Sequence, residues 1–196
     1  MLSSEQDAEI TSNRYGVVIS NSNDKNIFFY QETGRKNWLQ IHVRCSDHLD
    51  KPLIALASPV MALTSPQIVL ACGSNAAAGS QEKTIFESKD LKAFEATRSQ
   101  PARSGILEAI ASPDGKTIAV AASSGATFLY VSTNGGVSWQ TVISDPSFGG
   151  ASIHDLGFTT PTQGFAIMGH ATTAGTRSSA FLMTRDQGVS WHEIGF

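Results

Sequence analysis

The chain has 196 residues, 41% of them hydrophobic, with 14 basic and 17 acidic side chains giving a net charge of −3. That apolar content sustains a packed core, and interspersed charges of both signs exclude the basic face that a nucleic-acid binder needs. No stretch approaches the ~20 apolar residues that span a bilayer, and the polar start Met1-Leu2-Ser3-Ser4-Glu5-Gln6-Asp7 is no signal peptide as it stands, so an extracytoplasmic location requires a leader already removed.

Taken in chain order, short apolar runs alternate with small-residue turns, the pattern of many short strands. The first set runs from Tyr15-Gly16-Val17-Val18-Ile19 through Ile27-Phe28-Phe29-Tyr30 to Trp38-Leu39-Gln40-Ile41, and no inner strand is expected before Tyr15. In the second set, strands are expected near Val60 to Leu63, from Ile68 to Cys72 and at Ile85-Phe86-Glu87, leading past Ser88 and Asp90 to Phe94. A third set places strands at Ile106 to Ala111 and Ile118 to Ala122 around Ser112-Pro113-Asp114-Gly115, then at Phe128 to Val131 and Trp139 to Val142. The fourth repeats this at Ile153 to Phe158, Phe165 to Met168, Phe181 to Met183 and Trp191 to Ile194. A gapless alignment of the last two sets on their apolar residues lays Glu108 on Asp155 and Ile118 on Phe165.

The strongest repeat is a turn. Ser132-Thr133-Asn134-Gly135-Gly136-Val137-Ser138-Trp139 matches Thr184-Arg185-Asp186-Gln187-Gly188-Val189-Ser190-Trp191, at a spacing of about 50 residues. Gly136 and Gly188 suit positive φ, Asn134 and Asp186 suit a side chain that closes the turn on backbone amides, with Ser132 and Thr184 assisting, and Trp139 and Trp191 suit packing between neighbouring sheets.

These segments resemble the Asp-box (BNR) repeat, Ser/Thr-x-Asp-x-Gly-x-x-Trp. The second copy matches in full and the first has Asn134 in place of Asp. The repeat occurs in sialidase-like, sortilin-like and photosystem II assembly-factor-like propellers. The resemblance implies an all-β β-propeller, and the four sets of strands read as about four antiparallel four-stranded blades, near 10–45, 52–98, 104–143 and 151–196, in one domain spanning 1–196. The first blade is expected to be incomplete. Such a chain is expected to be a piece of a larger propeller, a small closed ring, or one half of a ring completed by self-association. The box itself lies away from the ligand face in this family, so its residues are read as structural.

Enzymatic readings have less behind them. The resemblance implies three converging arginines for sialidase chemistry, the first usually in a Phe/Tyr-Arg-Ile-Pro segment. None exists here, and Arg14, Arg35, Arg44, Arg98, Arg103, Arg177 and Arg185 do not sit well inside inner strands. Other glycoside hydrolysis needs two facing carboxylates. Glu108 and Asp155, on neighbouring inner strands, are the available pair, against the plainer reading that they are solvated or cap backbone groups. His154 should face away from Asp155, because neighbours on a strand alternate. His42, His48, His170 and His192 form no metal-ligand pattern, so neither metal nor cofactor is expected. Cys45 and Cys72 fall in different sets and are expected to be free thiols. The expected role is therefore a non-catalytic binding or assembly scaffold for a protein or glycan. Its contacts are expected in the loops of uneven length at 71–80, 123–125 and 170–179. The alternative is a carbohydrate-active enzyme or a piece of one.

Overall fold

The computed structural model describes residues 6–10, 15–22, 25–32, 36–37, 39–42, 53–57, 67–74, 76–89, 93–146, 151–171 and 177–195, with only the backbone for the strands before residue 67. The described residues form four antiparallel sheets of four strands each. The first holds β1 (Gln6–Ile10), β2 (Tyr15–Ser22), β3 (Lys25–Glu32) and β4 (Leu39–His42). The second holds β5 (Leu53–Ala57), β6 (Gln67–Gly73), β7 (Lys83–Ser88) and β8 (Glu95–Ala96). In the third are β9 (Ile106–Ala111), β10 (Ile118–Ser123), β11 (Thr127–Ser132) and β12 (Gln140–Asp145). The fourth is built from β13 (Ser152–Phe158), β14 (Gly164–Ala171), β15 (Arg177–Thr184) and β16 (His192–Glu193). Each is a meander in sequence order. No helix among the described residues is long and apolar enough to cross a membrane.

Two expectations are corrected here. The first sheet has its inner strand: β1 pairs with β2 from Gln6↔Ser20 to Ile10↔Gly16. The ladder is made by the backbone, so the polar run Gln6-Asp7-Ala8-Glu9-Ile10 can carry it without an apolar signature. In the second sheet the inner strand is Leu53–Ala57, paired from Leu53↔Ala71 to Ala57↔Gln67. Val60 to Leu63 lie outside the described residues.

The inner strand β9 lies beside both β5 and β13, so the third sheet stands between the second and the fourth. Two cores fill the seams. Ile118, Val120, Ala122 and Tyr130 meet Val69, Ala71 and Ile85 of the second sheet. Ala119, Ala121, Leu129 and Val131 meet Ile153, Ala166, Met168 and Leu182 of the fourth. Strand β10 is therefore buried on both faces, which is why Ile118-Ala119-Val120-Ala121-Ala122 is an unbroken apolar run rather than an alternating one.

The third and fourth sheets share a β-bulge on the inner strand. Pairing of β9 with β10 skips Glu108, and pairing of β13 with β14 skips His154. Ile118 stands opposite Ser132, and Gly164 opposite Thr184. The Gly135 N–H donates to Lys116 O at 2.8 Å, as the Gln187 N–H does to Thr162 O at 3.1 Å. Glu108 thus corresponds to His154, not Asp155, and Ile118 to Gly164, not Phe165. Alignment on the apolar residues slips by one, and a one-residue slip exchanges the faces of a strand.

Candidate functional site

The connections at 74–82 and 97–105, the tight turn after Ser123 and the start of β13 lie at the same end of the sheets and form the loop face. The described part of the first connection is a compact tip. Ala77 and Ser80 exchange two backbone hydrogen bonds of 2.9 Å, and the Gly105 N–H donates to Gly79 O at 3.0 Å. The 172–176 part of the corresponding loop in the fourth sheet lies outside the described residues.

Glu108 is held between two sheets. One carboxylate oxygen accepts from the Ser123 hydroxyl and the other from the Ile153 N–H, at 3.1 Å, on the next inner strand. Burial pushes its carboxyl above the usual range, while the Ser123 and Ile153 hydrogen bonds and positive charge on His154 pull it down. Ile153 is the residue just before the bulge. At the preceding seam the matching N–H, that of Leu107, donates to Gln81 Oε1 at 2.7 Å. The same backbone vacancy is therefore capped by an amide at one seam and a carboxylate at the next.

Asp155 is exposed, as is His154 beside it. The bulge breaks the alternation expected to separate them. Asp155 occupies the position of Ala109 in the third sheet, one place away from that of Glu108. The Ser152 hydroxyl lies 3.4 and 3.3 Å from the two ring nitrogens of His154. Near-equal distances place it off both lone-pair directions, which does not make a nucleophile–base pair.

Lys83 went unnoticed in the sequence. It is 1% exposed, and the three N–H groups of its ammonium are shared among the carbonyls of Gln81, Ala102, Arg103 and Ser104, which lie 3.0–3.1 Å away. It also lies 5.5 Å from the centre of the Tyr130 ring, whose hydroxyl donates to Ser104 O at 2.7 Å. Burial lowers its pKa to about 8. The available signal was its place two residues before Ile85, on the buried face of β7.

The two matching turns are closed alike at the opposite end of the sheets. The Gly136 N–H donates to Ser132 Oγ at 2.8 Å, and the Ser138 N–H to Asn134 Oδ1 at 2.9 Å. At the second turn the Gly188 N–H donates to Thr184 Oγ1 at 2.9 Å and the Ser190 N–H to Asp186 Oδ1 at 2.9 Å. The Ser190 hydroxyl donates to the other Asp186 oxygen at 2.7 Å and is the main cause that holds its carboxyl below the usual range. Trp139 packs on the seam between the second and third sheets, and Trp191 on that between the third and fourth.

Of the arginines, Arg98, Arg103 and Arg185 are exposed, and Arg103 pairs with Glu82 at 3.1 Å. Arg14, Arg35 and Arg44 lie outside the described residues. Among the described residues no three His, Cys, Asp or Glu side chains converge on a metal position. Cys72 is disulfide-bonded rather than the expected free thiol; Cys45, outside the described residues, is the chain's only other cysteine. Separation by set did not exclude a bond, because residues distant in the chain can be near in space.

No family model matches the chain, and no curated protein does. Among solved structures it is similar to the GH93 α-L-arabinofuranosidase of Fusarium graminearum in complex with arabinobiose, at a TM-score of 0.56 and 11% identity. That likeness covers 96% of this chain and 65% of that one, so the chain spans less than two thirds of the enzyme's length. It is also similar to YCF48 bound to D1 peptide, at a TM-score of 0.44 and 10% identity over 98% of this chain and 84% of that one. At such identity the arabinofuranosidase likeness is one of fold. With four antiparallel four-stranded meanders among the described residues, the chain is an all-β protein with the β-propeller fold, and its sheets are blades.

Proposed function

We propose that the chain is a non-catalytic propeller scaffold that recognises a protein or glycan through its loop face. The supporting observation is the state of Glu108: one carboxylate oxygen is engaged by Ser123 of its own blade and the other by Ile153 of the next, and Asp155 stands one register position away from it. Paired-carboxylate hydrolysis needs two free groups facing one bond. In this reading the turns ending at Trp139 and Trp191 are Asp-box clamps that hold blades and touch no ligand.

The alternative, a carbohydrate-active enzyme, draws on the raised pKa of Glu108, which suits a general acid, and on the fold shared with a glycosidase. Incubation with arabinobiose and a panel of aryl glycosides separates the two. A scaffold releases no sugar above the blank, while glycan-array or peptide-array binding is lost when exposed Ala102 is replaced by Trp. Release that disappears in both Glu108→Gln and Asp155→Asn would establish the enzyme instead.

A further inference from the structure

The two matching turns differ at one reactive step. Asn134-Gly135 is the chain's only Asn-Gly pair, whereas the fourth blade has Asp186-Gln187 in the same place. Asparagine is among the chemically labile residues, and most so before glycine, whose backbone nitrogen carries the least steric screening. Asn134 is exposed, and a side chain at Gly135 would meet only Gly115 O, at 3.6 Å. We propose that Asn134 is a spontaneous modification site: it deamidates through Gly135 when the bond from Gly135 to Lys116 opens, and the aspartate formed closes the turn as the fourth blade's turn is closed. The modification is independent of any ligand on the loop face.

The reaction needs only water and hydroxide. Hydroxide takes the Gly135 amide proton and the nitrogen attacks Asn134 Cγ. A cyclic imide forms as the Cγ–Nδ2 bond breaks, and Nδ2 leaves as ammonia with a proton from water. Water then adds at Cγ and breaks its bond to the ring nitrogen, giving aspartate with the main chain intact. Addition at the Asn134 backbone carbonyl gives isoaspartate instead, with a longer main chain that runs through Cβ and Cγ. The turn bears on each of these atoms. Asn134 Oδ1, which takes up negative charge in the attack, already accepts from the Ser138 N–H at 2.9 Å and the Ser132 hydroxyl at 3.0 Å. The Gly135 N–H is committed to Lys116 O at 2.8 Å, so release of that bond is the step the fold controls. The fourth blade holds the precedent for the product. Asp186 Oδ1 accepts from the Ser190 N–H at 2.9 Å and the Thr184 hydroxyl at 2.8 Å, and its other oxygen accepts from the Ser190 hydroxyl at 2.7 Å. Aspartate at 134 requires only that the Ser138 hydroxyl turn to donate, where it now accepts from Asn134 Nδ2 at 2.8 Å. Isoaspartate, with its carboxylate on Cα, fits neither pattern.

The test incubates the full chain at pH 8 over several weeks, folded and in concentrated urea, and follows the peptide that carries Asn134 by mass. Ion exchange reads the negative charge gained over the present net −3. The expected result is an amide replaced by a carboxylate at Asn134 in the folded chain, more slowly than in urea, and its loss in Gly135→Gln. That variant copies Gln187, which holds φ +66° where Gly135 holds +67°, so the turn has a precedent for it. Asn134→Asp should melt within about 2 °C of the wild type or above it. An Asn134 that reacts in urea but stays unchanged in the folded chain overturns the proposal, as does a gain that persists in Gly135→Gln. Equal rates in the two conditions remove the control assigned to the Lys116 bond and overturn it too. So does an Asn134→Asp chain that melts well below the wild type, and this outcome decides the matter even where Gly135→Gln does not fold.

Discussion

At the scale of single residues, the two matching turns carry out one task with different atoms. Asn134 Nδ2 donates to the Ser138 hydroxyl at 2.8 Å, whereas Asp186 accepts from the Ser190 hydroxyl at 2.7 Å. A hydroxyl can serve either way, so Asn and Asp are interchangeable at this position, which explains how the turn survives the exchange. The position after each is less forgiving. Gly135 has φ +67° and its counterpart Gln187 φ +66°. A side chain in that left-handed region costs about 1–2 kcal/mol, and glycine gives back roughly 0.5–1 kcal/mol through its greater freedom in the unfolded chain. Since Gln187 is exposed and bonds to Thr162 through its backbone, Gln187→Gly should stabilise the fold by about 0.5–1 kcal/mol. Urea unfolding reads this directly. A destabilised variant would mean that the glutamine side chain holds the turn in a way its geometry does not suggest.

Among the strands, the informative contrast is between β12, which runs six residues along its neighbour, and β8, which runs two. After Thr97, whose N–H still donates to Ile85 O at 2.8 Å, the chain leaves the ladder and side chains take over. The Ile85 N–H finds Gln100 Oε1 at 2.6 Å, and Lys83 gathers the carbonyls of 102–104. Replacing Lys83 by Met fills similar space but leaves buried acceptors without a donor, at a cost of about 2–4 kcal/mol. The pH dependence has a definite direction. The folded pKa of about 8 lies below the ordinary 10.5, so between these values the unfolded chain holds the proton and the folded chain does not. Stability from this group therefore rises from pH 8 to 10.5 and is level below pH 8. The advantage of the wild type over Lys83→Met should widen across that window, and parallel stability curves would refute the account. Neither device could be read from the residues, because convergence of the 102–104 carbonyls is a fact of tertiary structure. The third and fourth blades were legible because Ser132 to Trp139 and Thr184 to Trp191 fix their outer turns. The first inner strand was not, since β1 pairs through its backbone. The carboxylate pair was misjudged because the bulges at Glu108 and His154 leave no mark in apolar periodicity, so Asp155 was aligned where His154 belongs.

At the scale of the whole molecule, the second, third and fourth blades are joined through the seams between them, so local damage should stay local. The seam between the second and third blades offers the clearest case. Trp139 packs against that core, which holds Tyr130, Val120 and Ile85, and also donates from its indole N–H to Ser99 O at 3.0 Å, in the connection leaving the second blade. Ser99 returns bonds of 2.8 Å to Val137 O and 2.9 Å to Gly136 O, so the turn and the connection hold each other. Trp191, by contrast, donates to Gly188 O within its own turn at 2.8 Å and meets Phe158 edge-on. Both side chains are half-buried over a core, so Trp139→Ala or Trp191→Ala should each cost about 2–3 kcal/mol, less than the loss of a fully enclosed ring. Trp→Phe distinguishes them. Phenylalanine keeps most of the packing and removes only the N–H, so Trp139→Phe breaks a bond between blades while Trp191→Phe breaks one inside a turn. Hydrogen exchange should therefore show faster opening of the Ser99 and Thr97 amides in Trp139→Phe, with the amides of β13 to β15 as protected as before. Exchange that quickens equally across the third and fourth blades would mean that the propeller opens as one unit, and that its seams do not act as separate joints.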